Sequence, residues 1–140
     1  MSLQYEDCLK KGSIKAFSRG KAIAGKELET AEEDLGSAKK SFESGNYKWA
    51  TIQVYYSMFH SARALLYAKN FKEHSHACLI LAVRKFYVNE GKIPAKLVDA
   101  LQDAKGLRED ADYYSRWSKE SAGSLLKLAE EFLNKAKEII

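Results

Sequence analysis

From Asn46 the chain reads NYKWATIQVYYSMFHSARALLYAK, and residues 47–69 place apolar or aromatic side chains on almost every side of the helix that this segment predicts. Tyr55, Met58, Ala62, Leu65 and Leu66 cover much of it, while Gln53, Ser57, His60 and Ser61 form one polar stripe at i, i+4, i+7 and i+8. A helix apolar nearly all round belongs in the middle of a bundle. Two readings of the stripe stand at this point. Either polar groups of neighbouring helices meet it, or it lines a cleft or a subunit contact.

The flanking segments carry the same helical period. Ala24, Leu28, Ala31, Leu35, Ala38 and Phe42 mark an amphipathic helix that ends near Ser44-Gly45-Asn46, and so short a connection makes it the antiparallel neighbour of the central helix. Residues 3–9 fit a short helix, and Gly12, Gly20 and Gly25 break the next stretch into a loop. Residues 70–75 read as a turn, with Ser75 capping a helix marked by Ile80, Val83 and Tyr87 and ended by Gly91. Pro94 suits the first turn of a further helix buried through Leu97, Leu101, Ala104, Leu107 and Ala111. After a turn at 115–118, Leu125, Leu128, Phe132, Ala136 and Ile139 mark the last helix, about 119–140. The expected fold is all-α: one domain over 1–140, an up-and-down bundle of four long helices with one or two short ones and a less regular basic segment at 1–25.

Composition narrows the setting. The chain has 140 residues, 46% hydrophobic and 30% charged, with a single proline, which fits an ordinary helical domain. No apolar run approaches the roughly 18–20 residues of a membrane span, and no signal core opens the chain, so the expectation is a cytoplasmic protein away from the membrane. Cys8 and Cys78 lie far apart with no CxxC pattern and read as reduced thiols. A net charge of +4 does not by itself diagnose a nucleic-acid binder. Its distribution is uneven: Lys10, Lys11, Lys15, Arg19, Lys21 and Lys26 are followed at once by Glu27, Glu29, Glu32, Glu33 and Asp34. That pattern reads as a solvated basic segment running into an acidic helix start, or as a phosphate-contacting arm.

No GxGxxG, P-loop, HExxH or nucleophile triad is present, so no cofactor and no metal are expected. His74 and His76 flank Ser75 and read as a solvated pair. His60, in the central helix beside Ser57 and near Arg63, is a candidate general base or phosphate holder, or else a hydrogen-bonded core residue. Arg108 and Asp112 share a helix face. Spacing makes them an i, i+4 ion pair worth about 0.3 kcal/mol. The functional alternative is a guanidinium oriented by Asp112 and Tyr113 to grip a phosphodiester with planar, permanently charged donors.

YYSMFHSARALLYAKNF, His74-Ser75-His76, FYVNEGKIP and LREDADYY, in this order and at these separations, resemble the HEPN domain family, in particular a small prokaryotic branch with an Arg-x-x-x-Asp-Tyr signature. The resemblance covers roughly residues 28–140. It implies a helical bundle that forms a homodimer and acts on RNA or nucleotide, in many members as a metal-independent endoribonuclease toxin. It also implies a minimal nucleotidyltransferase as antitoxin partner. The family's ribonuclease motif, an Arg and a His with four to six mostly polar residues between them, places its Arg on Arg108. Its His does not carry over, because Tyr113, Tyr114 and Ser115 stand there. Arginine has no accessible pKa for moving protons. The resemblance therefore leaves His60 as proton carrier, or a branch that binds nucleotide or RNA without cutting it, or a non-catalytic partner of the nucleotidyltransferase; in members paired with that enzyme a Tyr near the motif receives AMP, and Tyr113 is the matching residue here. It also turns Gln53, Ser57, His60 and Arg63 toward a dimer cleft shared with Arg108.

Overall fold

The computed structural model describes residues 3–140. In chain order they form α1 (Tyr5–Lys11), β1 (Ile14–Ala16), α2 (Gly20–Glu43), α3 (Tyr47–Tyr67), β2 (Phe71–Glu73), α4 (His76–Val83), α5 (Ala95–Tyr113) and α6 (Lys119–Ile139). A π-helical turn, Arg84–Val88, continues α4. The four long helices are α2, α3, α5 and α6, as the hydrophobic period predicts.

The α2–α3 hairpin shows how sequence becomes geometry. Gly45 takes φ 79°, a left-handed conformation that costs a residue without Cβ nothing. Asn46 then caps α3, its Oδ1 accepting the Trp49 N–H at 3.4 Å. The hairpin closes tightly at its other end, where a Cβ on Gly20 would stand 2.5 Å from the Tyr67 carbonyl oxygen. α3 is the central element. Val54, Met58, Ala62, Leu65 and Leu66 have no exposed surface, and with Leu97 and Leu101 of α5 and Phe132 of α6 they fill one core. Each such side chain contributes about 1.5–3 kcal/mol by leaving water.

Three features depart from the sequence reading. The glycine-containing stretch before residue 25 is not a loop throughout: β1 pairs antiparallel with β2, Ile14 opposite Glu73, and α2 begins at Gly20. The Asn70 side chain accepts the Lys21 N–H at 2.9 Å and holds that early start. Glu27 to Asp34 consequently lie inside α2 and not in its first turn. Cys8 and Cys78 are not reduced thiols; they are bonded to each other, with Cα atoms 5.8 Å apart, and the bond ties α1 to α4. Closing a loop across 70 residues is worth about 4 kcal/mol in the chain-entropy account. Pro94 stands one position ahead of α5, at its N-cap. Among the described residues no helix is long and apolar enough to cross a membrane.

Candidate functional site

The C-terminal end of α5 and the N-terminal half of α3 form the open face of the bundle. The Tyr114 and Arg116 N–H groups both donate to the Asp110 carbonyl, at 3.1 and 3.0 Å, and Ser115 takes φ 53°. This closes α5 abruptly. Ser118 then caps α6 by accepting the Ser121 N–H at 3.1 Å. The turn between the two helices leaves Tyr113 67%, Tyr114 66% and Trp117 47% exposed, beside Trp49 at 48% and Tyr56 at 40% on α3.

Arg108 sits one turn before that end and points at α3. Its guanidinium carbon is 5.3 Å from the Tyr55 ring, 5.9 Å from Tyr56 and 5.7 Å from Tyr113, so three aromatic faces surround one cation. The expected pair with Asp112 is present at 3.5 Å, and the side chain is only 17% exposed. Its Nε–H is buried and has no acceptor among the described residues. Burial works against the charged form, but the hydroxyls of Tyr113, Tyr56 and Tyr55 outweigh it and raise the pKa above its ordinary value. An unsatisfied buried donor costs about 1–3 kcal/mol.

Behind Tyr55 stands His76, which is not one of a solvated pair. Its Nδ1 lies 3.2 Å from the Tyr55 hydroxyl, and its Nε2 is buried with no partner among the described residues. Burial, with Lys105 and Arg108 adding to it and Glu109 opposing, pushes this imidazole down to about 4, so it is neutral at pH 7. His76 also borders a cleft of about 550 Å³ with Arg84, Gln102, Lys105, Gly106 and Glu109. Among the described residues no group of three or more His, Cys, Asp or Glu side chains is placed to hold a metal ion.

The polar stripe of α3 does not meet Arg108. It turns toward α2, because α2 carries the partners. Ser57 Oγ is buried and donates to the Ala31 carbonyl at 2.8 Å, and the Gln53 amide nitrogen donates to Ser41 Oγ at 2.7 Å and to the Ser37 carbonyl at 3.2 Å. His60 Nδ1 is 2.8 Å from Glu27, and its Nε2 is 3.9 Å from Asp34. Arg63 pairs with Glu27 at 3.4 Å and with the nearly buried Glu73 at 2.9 Å. Burial alone would raise the Glu27 carboxyl; His60 and Arg63 outweigh it and hold the carboxyl below its usual range. Asp34 is raised by burial, with Glu33 adding and His60 opposing. Within the single chain Gln53, Ser57, His60 and Arg63 therefore take their partners from α2 and β2 and do not meet Arg108. Sequence reasoning missed His76, Tyr55, Tyr56, Lys48 and the two tryptophans as neighbours of the site. The one available signal was the density of aromatics at 47–59 and 113–117.

Comparison with known proteins gives the family. The model of the HEPN domain matches residues 25–139. The chain is 37% identical over 114 residues to a Methanocaldococcus jannaschii protein named "Putative toxin", covering 81% of this chain and 85% of that relative. It is 36% identical over 118 residues to an Archaeoglobus fulgidus protein named UPF0332, covering 81% of this chain and 91% of the relative. A solved structure from Thermus thermophilus superposes with a TM-score of 0.71 at 21% identity, over 84% of this chain and 98% of that one, which shows a shared fold. The helical bundle, the family match and the ordered segments that end in LREDADYY agree, and the chain belongs to the HEPN domain family.

Proposed function

We propose that this HEPN protein is of the toxin type and acts on RNA as a homodimer, with Arg108 holding a backbone phosphate. The observation that carries the reading is the state of Arg108: a permanent cation, ringed by Tyr55, Tyr56 and Tyr113, whose Nε–H finds no acceptor among the described residues. Phosphate oxygens are the natural acceptors for a guanidinium fork. Asp112, at 3.5 Å, orients that fork and leaves room for a second anion. His60 belongs to the Glu27 network in this account, so it is not the proton carrier. A guanidinium stabilises charge on a phosphorane but moves no proton, and scission falls to a second group.

The test is binding and cleavage of end-labelled RNA by the wild type and Arg108→Ala at one salt concentration. The reading predicts at least tenfold weaker binding by the variant, and a cleavage ladder, where one forms, that vanishes with it. Equal binding by both proteins would remove Arg108 from the site.

Tyr113 favours a second reading. It is the most exposed tyrosine beside Arg108. A phenol oxygen there can attack the α-phosphate of ATP on a partner nucleotidyltransferase and release pyrophosphate, with Arg108 countering the new charge. Transfer of label from ATP to the wild type but not to Tyr113→Phe is the expected result, and equal labelling would contradict it.

A further inference from the structure

The chain contains two tryptophans, Trp49 near the start of α3 and Trp117 in the α5–α6 turn, and both stand about half exposed on one face. They flank a single ammonium: Lys48 Nζ is 5.5 Å from the Trp49 ring and 5.9 Å from the Trp117 ring. Arg116 lies 5.9 Å from the Tyr114 ring, and neither Lys48 nor Arg116 has a carboxylate within salt-bridge distance among the described residues. Beside Trp117 a smaller cleft of about 240 Å³ is lined by Thr51, Leu107, Asp110, Arg116, Ser118 and Ser121. None of this involves the Arg108 guanidinium, and the bundle core does not need it. Half-exposed indoles are costly to leave in water.

We infer that Lys48, Trp49 and Trp117 form a base-stacking subsite for an unpaired RNA strand, with the small cleft receiving the edge of one base. The inference rests on the RNA reading and gives its substrate class: single-stranded, and held by its bases as well as by its phosphates. An alternation of π faces and unpaired cations matches a polymer that alternates bases and phosphates. It matches a second copy of the chain less well, since two-fold pairing would set this patch against another of the same sign. Of the α5 carboxylates, Asp112 is held by Arg108, and Asp110 lines the cleft, where it can accept from an exocyclic amine.

Because these are the only tryptophans, intrinsic fluorescence reports this patch alone. Titration of the full chain with single-stranded oligoadenylate RNA is expected to quench the emission saturably, and duplex RNA or inorganic polyphosphate to leave it nearly unchanged. Trp49→Leu and Trp117→Leu each weaken binding at least about fivefold. Lys48→Gln, which keeps both rings, weakens it and lowers the salt slope by about one. Binding by fluorescence anisotropy with unaltered tryptophan emission and unaltered affinity in the tryptophan variants would overturn the subsite and leave the Arg108 reading standing. Absence of any RNA binding would overturn both. Equal quenching by polyphosphate, or emission that follows protein dilution and not RNA, would overturn the subsite as a phosphate-only site or a self-interface.

Discussion

Two arginines face α3 from different situations. Arg63 lies on α3 itself, and its donors are used: Nε and Nη2 reach Glu73, and Nη1 reaches Glu27, which also holds His60. Arg108 comes from α5 and meets tyrosine faces and one carboxylate at 3.5 Å, and its Nε–H has no acceptor among the described residues. Similar side chains of similar burial thus do different things. A guanidinium closed by carboxylates fixes one helix against another, whereas one held by π faces keeps its hydrogen-bonding capacity for a ligand. The comparison separates scaffold from site where residue type alone does not.

Breaking the closed side should have the largest effect. Arg63→Ala leaves the largely buried Glu73 and Glu27 without their cation, and urea unfolding should show a loss of about 2–4 kcal/mol, with RNA affinity of the folded protein unchanged. A loss below about 1 kcal/mol would mean the network is not structural.

The two sides also separate along the pH axis. His76 is held at about 4 in the folded protein against 6.5 unfolded, so the unfolded chain takes up this proton first as the pH falls. Its effect on stability is absent above pH 6.5 and grows as acid is added down to about pH 4, reaching about 2–3 kcal/mol. Glu27 is lowered, so its contribution is complete above the ordinary carboxylate value of 4.5 and is lost only below that. Urea midpoints measured across this range should fall between pH 6.5 and 4 in the wild type and stay flat in His76→Gln, whereas a shared slope would contradict the burial of His76.

Arg108→Ala sharpens the comparison from the open side: RNA affinity falls at least tenfold while the unfolding free energy changes by less than about 1 kcal/mol. Smaller again, Ser57→Ala removes the buried bond to the Ala31 carbonyl, costs about 1 kcal/mol by thermal or urea unfolding, and leaves RNA binding alone. Asp112→Asn changes stability by less than about 0.5 kcal/mol, and its effect should appear in the RNA titration.

Much of the fold was legible because helical burial repeats along one segment. The positions from Ala24 to Phe42 and from Leu125 to Ile139 carry their period without reference to any neighbour. The rest depended on what lay across from each segment. β1 and β2 are three residues each, too short for alternation to register, and their pairing joins distant parts of the chain. The Cys8–Cys78 bond requires Cα atoms within reach, which spacing in sequence does not give. The stripe on α3 was visible as polar, but not the Glu27 and Asp34 of α2 that meet it. His76 looked solvated at a helix start because Tyr55, the residue that covers it, comes from another helix. Arg108 was legible through the family pattern, and its tyrosine cage only partly, through Tyr113.

The most direct test places both arginines in one spectrum. In a ¹⁵N spectrum of the side-chain Nε–H groups, single-stranded RNA should shift the Arg108 resonance and slow its exchange with water, while the Arg63 resonance stays where it is. A titration in which RNA binds and Arg63 moves while Arg108 does not would contradict the account.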